Sequence, residues 1–120
     1  MPFRKLLTEL VESAPGASGA ILSDWEGESV ELVSAPGDDY GLKLLAAHLG
    51  IILARARAAA ERHSGAGPLD IVVTTGAGRC IVGTVGPDYA LAMTLHRDAP
   101  VGRPLKRFRD TREMLVKEIY

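Results

Sequence analysis

The chain has 120 residues, 47% of them hydrophobic, a length that leads us to expect one domain over residues 1-120 with one modest core. Its 14 Lys and Arg against 15 Asp and Glu give a formal net charge of -1, which argues against obligatory capture by nucleic acid or by an anionic membrane. The single cysteine, Cys80, excludes an internal disulfide and a multi-cysteine zinc site. Thr8, Glu9 and Glu12 interrupt any signal-peptide core and no apolar run reaches membrane-spanning length, so cytoplasmic placement is expected.

Phe3, Leu6, Leu7, Leu10 and Val11 share one helical face, and Pro15-Gly16 ends that first helix. Two strand-like runs follow, Gly19 to Ser23 and Ser29 to Ala35. They are joined by Asp24-Trp25-Glu26-Gly27-Glu28, where Gly27 supplies the positive φ that a tight hairpin needs. After the turn Pro36-Gly37-Asp38-Asp39, a long Leu, Ile and Ala pattern predicts a helix from Leu42 to about Arg62, closed by the segment from His63 to Pro68. Three further strands are predicted at Asp70 to Thr75, Cys80 to Val85 and Tyr89 to Leu95. Their connectors are too short for crossovers, so they form an antiparallel meander. Pro104 suits the first turn of a final helix that carries Leu105, Phe108, Leu115 and Ile119 inward. The predicted class is α/β (α+β), in the order α-β-β-α-β-β-β-α, with both groups of strands in one sheet covered by helices.

The long helix is the most informative segment. At 100° per residue, Leu42, Leu45, Ala46, Leu49, Ile52, Leu53, Ala56 and Ala60 fall on one side, predicted to cover the sheet. Leu44, Ala47, Ile51, Ala54 and Ala58 gather nearly opposite, with narrow polar margins that include His48, Arg55 and Arg62. A helix apolar on two faces is buried on two faces, and a chain of this length has one core to offer. The second face therefore implies either a partner or enclosure by the chain's own loops. Leu44 and Ile51, counted twice in a two-fold dimer, would contribute about 6 to 12 kcal/mol, against an association cost of about 4 to 15 kcal/mol. Edge pairing of the Asp70 to Thr75 strand would add to the contact, which places Asp70, Val72 and Thr74 beside the dimer seam.

Chemical motifs are sparse. The glycines at 76, 78, 83 and 86 lack a following Lys-Ser or Lys-Thr and read as hairpin turns. His48, His63, His96 and Cys80 show no metal-ligand spacing, Cys80 reads as a buried structural thiol, and no nucleophile elbow occurs. No catalytic residue, metal or cofactor is predicted. Residues 1 to 40 carry 2 basic against 8 acidic residues, and residues 41 to 120 carry 12 against 7. Arg103, Lys106, Arg107, Arg109 and Arg112 on the final helix are interleaved with Asp110, Glu113 and Glu118, as on a solvated face. Trp25, at a hairpin tip among acids, is either a protein-binding anchor or a side chain packed onto a neighbouring helix.

Several phrases resemble the roadblock/dynein light chain family, in its bacterial MglB-type form. They are Leu10, then Pro15-Gly16-Ala17-Ser18-Gly19-Ala20-Ile21-Leu22, then Asp24-Trp25-Glu26-Gly27, and finally Val101-Gly102-Arg103 leading into the last helix. The resemblance implies a five-stranded antiparallel sheet with the long helix on one face and the terminal helices on the other. It also implies a homodimer built from the long helices and adjacent third strands, and a non-enzymatic adaptor or regulator of a Ras-like small GTPase or of another roadblock-type protein, in bacterial polarity or motility. On that expectation Leu44, Ala47, Ile51, Ala54, Ala58, Asp70, Val72 and Thr74 form the dimer interface, and His48, Arg55, Arg62 and Trp25 meet the partner. The competing class is a ligand-sensing domain of profilin or PAS type, marked by an apolar cavity between sheet and helix.

Overall fold

The computed structural model describes residues 2–34, 37–63, 65 and 67–120. Ala35 of the second predicted strand, Pro36 of the turn after it, and Ser64 and Ala66 of the segment closing the long helix lie outside the described residues.

Helix α1 (Pro2–Ser13) has the predicted face, with Leu7 and Leu10 fully enclosed. Strands β1 (Ala17–Asp24) and β2 (Ser29–Ser34) form the hairpin. At its tip the Asp24 carboxylate accepts the N–H groups of Glu26 and Glu28 at 2.9 and 3.0 Å, and Gly27 adopts φ 91°. These bonds satisfy backbone donors that the turn leaves without a ladder partner. Helix α2 (Asp39–His63) begins three residues before the predicted start. The Leu42 N–H donates to the Asp38 carbonyl at 2.9 Å, and the Asp39 carboxylate lies in the first turn, where the helix dipole favours a negative charge. Strands β3 (Asp70–Thr74), β4 (Arg79–Val85) and β5 (Tyr89–Leu95) make the meander, and α3 (Gly102–Ile119) closes the chain. Thr75 leaves the predicted strand because its N–H and hydroxyl bond the Gly78 carbonyl across the turn, while Arg79 joins β4 opposite Thr74.

All five strands lie in one antiparallel sheet of order β2-β1-β5-β4-β3, joined across its centre by the β1–β5 ladder. The period-two alternation of strand side chains sends successive residues to opposite faces and creates two cores. Leu22, Ile81 and Met93 meet Leu7, Leu10, Phe108 and Leu115 of the terminal helices. Ile21, Val82 and Ala92 meet Leu42, Ala46, Leu49 and Leu53 of α2.

Two parts of the sequence reading need correction. Leu45 and Ile52, predicted to face the sheet, are exposed, because α2 buries only the narrow stripe Leu42, Ala46, Leu49 and Leu53 against Ile21, Cys80, Val82, Ala90 and Ala92 of the sheet. On α3, Arg112 leaves the solvated face. It is buried over β4 and forms an ion pair with Asp70, while Arg109 holds the same carboxylate at 2.8 Å.

Gly83 makes this crossing possible. A Cβ there would stand 2.6 Å from Arg112 Nη2, 2.8 Å from Asp70 Oδ1 and 2.9 Å from Phe108 Cε1. Gly83→Ala is therefore expected to destabilise the fold by about 1 to 3 kcal/mol through overpacking. Urea unfolding should show a lower midpoint at an unchanged slope.

Candidate protein-interaction surface

Beyond its buried stripe, α2 presents an apolar face to solvent. Leu44 is 47% exposed, Ile51 58% and Ile52 50%. Ala47, Ala54 and Ala58 fill the spaces between them and are also exposed. Leu45 and Ile52, which the sequence reading assigned to the core, extend this surface into a second stripe one helical step away. His48, Arg55 and Arg62 lie between or beside the two stripes, all exposed. The surface is thus apolar with a basic border, since α2 carries Lys43, Arg55, Arg57 and Arg62 against Asp39 and Glu61.

Among the described residues, strand β3 is an edge of the sheet, hydrogen-bonded to β4 on one side only. Its alternation divides the predicted interface residues. Ile71 and Val73 pack on the α2 core, whereas Asp70 is engaged on the opposite face by Arg109 and Arg112. Val72 and Thr74 are exposed. What β3 offers beside α2 is therefore its outer backbone edge together with Ile71 and Val73. The alternation against Val82 in the neighbouring strand was the sequence signal for those two residues.

Trp25 takes the second of its two predicted roles. It is half-buried against α2, its Nε1–H donates to the Pro87 carbonyl at 2.9 Å, and the Arg57 guanidinium lies 5.3 Å from the ring centroid. Arg57 Nη1 donates to the same carbonyl at 3.0 Å, and Arg57 Nε stands 3.4 Å from Glu61. This cluster ties the β1–β2 tip and the β4–β5 turn to α2. It leaves a groove of about 260 Å³ between Trp25 and Ala54, Arg57 and Ala58, at the rim of the apolar face.

Cys80 lies beneath α2, and burial pushes its thiol up from 9.0 to about 12. At pH 8 the native thiolate is thereby suppressed about 1,000-fold relative to an ordinary cysteine, and alkylation by iodoacetamide is expected to be correspondingly slow until denaturant exposes the thiol. Above pH 9 the unfolded chain releases this proton while the native chain retains it. Stability is accordingly expected to fall as pH rises from 9 toward 12.

No family model and no curated protein matches the chain. Among solved structures, MglB of Myxococcus xanthus aligns with a TM-score of 0.84 at 14% identity, covering 99% of this chain and 95% of that one. The Roadblock/LC7 domain from Streptomyces avermitilis aligns with a TM-score of 0.75 at 23% identity, covering 97% and 92%. The gliding protein mglB of Thermus thermophilus gives 0.80 at 22% identity, covering 94% and 84%. Three near-complete alignments, all under a quarter identical, agree with the element order, the single antiparallel sheet and the placement of α2 opposite α1 and α3. The chain has the roadblock fold.

Proposed function

We propose that the protein is a non-enzymatic homodimeric adaptor that regulates a Ras-like small GTPase or another roadblock-type protein, acting in the cytoplasm in bacterial polarity or motility. The observation that carries this reading is the apolar face of α2 beside the open edge of β3. Leu44, Ala47, Ile51, Ala54 and Ala58 would form the seam between two copies of α2, and β3 edges would extend the contact through backbone pairing. Two stripes lie on the exposed face, and one helix-to-helix seam covers one of them. Leu45 and Ile52 then border the basic residues His48, Arg55 and Arg62 on each protomer, forming a platform for a partner with an apolar and acidic surface. Trp25 stands at the edge of that platform. Regulation through such a platform needs no catalytic group from this chain, because a bound surface can bias the partner's own conformational equilibrium.

A sensing cavity between sheet and helix is disfavoured by the close packing of Leu42, Leu49 and Leu53 against Ile21, Val82 and Ala92. The test of the adaptor reading is capture of GTP-loaded and GDP-loaded small GTPases and of roadblock-type proteins by the immobilised chain, with GTP hydrolysis followed in parallel. Selective retention of one nucleotide state, reduced by Arg55→Glu, is the expected result. Failure to retain any of these proteins would remove the reading.

A further inference from the structure

A cavity of about 310 Å³ lies away from the α2 seam, between the C-terminal half of α2, residues 67 and 68, the β4–β5 turn and α3. Arg57, Thr84 and Arg112 line it together with Pro68, Pro87 and Val116, and no carboxylate does so among the described residues. Its polar side chains are therefore all capable of donating hydrogen bonds, and Pro68, Pro87 and Val116 supply apolar wall.

One carboxylate, Asp70, faces two guanidiniums, Arg109 at 2.8 Å and the buried Arg112. Arg57 has the half-exposed Glu61 at 3.4 Å. Glu113 adds a third carboxylate acting on Arg112, so the three cations are met by three anions, none of which lines the cavity. The Arg112 side chain is 8% exposed, and its Nε has no hydrogen-bond acceptor among the described residues. Burial pulls the Arg112 pKa down, and the charge of Glu113 opposes that shift. Thr84 is equally enclosed. Its Oγ accepts the Leu69 N–H at 3.1 Å, and no acceptor stands against its own O–H among the described residues.

An oxyanion in the cavity would accept hydrogen bonds from the Thr84 hydroxyl and from the guanidiniums that line it. The volume is at the lower end of small-molecule sites, and Pro68, Pro87 and Val116 offer contact to a short hydrocarbon body. We propose that this cavity binds a small monocarboxylate, its oxygens held by Arg57, Arg112 and Thr84 and its aliphatic or single-ring body against the apolar walls. A bare phosphate would satisfy the donors and leave those walls unfilled. The proposal is independent of the adaptor reading, since the cavity lies within one chain.

The experiment is titration of the isotope-labelled full chain with isobutyrate, benzoate, phosphate and chloride at constant ionic strength, followed by amide NMR. Saturable shifts at Gly67, Thr84 and Gly86 with the two carboxylates, in the millimolar range, are expected. Arg57→Gln should weaken binding at least about tenfold through loss of a charge-assisted contact. Val116→Phe should abolish it by filling the cavity at constant charge, and each variant's fold is checked by its amide spectrum. The proposal is overturned by no saturable response to either carboxylate, by an equal response to phosphate or chloride, or by unchanged binding in Val116→Phe.

Discussion

Ile51→Glu is expected to convert the proposed dimer to a monomer while leaving the fold intact. Ile51 is 58% exposed on the isolated chain, so a carboxylate there is solvated and the two cores are untouched. In a two-fold seam the substitution acts twice. Each copy forfeits about 1.5 to 3 kcal/mol of apolar burial and places an unpaired charge in a dehydrated contact. The burial loss alone corresponds to at least about 100-fold in the dissociation constant. Sedimentation velocity should report the mass change, and thermal unfolding extrapolated to high dilution should be the same for both proteins. Ile52→Glu provides the comparison. If it splits the dimer and Ile51→Glu does not, the second stripe is the seam and Leu44, Ala47, Ile51, Ala54 and Ala58 lose that assignment. If neither changes the mass, α2 is not the dimer contact.

Phe108→Ala is expected to be the most destabilising simple truncation on α3. Phe108 is fully enclosed, belongs to the core shared by α1, α3 and the sheet, and has the Arg112 guanidinium 5.5 Å from its ring centroid. Its loss removes the transfer energy of the ring and leaves a void, together about 3 to 5 kcal/mol. The melting temperature should then fall by about 10 to 20 °C. Met114 lies on the same helix and is 50% exposed. Met114→Ala should change stability by less than about 0.5 kcal/mol. Comparable losses in the two variants would mean that α3 is not anchored through Phe108.

Much of this architecture was legible in the residues because it follows from local periodicity. The spacing of Leu7 and Leu10, the alternation through Ile81-Val82 and Gly27 in its turn each specify a local shape without reference to distant chain. The two-faced character of α2 was legible for the same reason, since a 3.6-residue repeat fixes which side chains share a side. Where the stripe ends was not. Leu45 and Ile52 lie at angles compatible with burial, and only the width of the surface beneath α2 leaves them in solvent. Trp25 was undecided because its partners, Pro87 and Arg57, are 62 and 32 residues away along the chain.

The sequence by itself determined the elements, their order, the hairpin turns and the surplus of apolar side chains on α2, because each depends on interactions within a few residues. Only the tertiary structure decided that β1 pairs with β5 and that the Asp70 carboxylate turns away from α2. It likewise decided that Arg112 is buried over Gly83 and that donors of three separate elements line one cavity, with no carboxylate in that lining among the described residues. These features arise from contacts between distant segments, and the stripe pattern of any one segment carries no information about what another segment brings beside it.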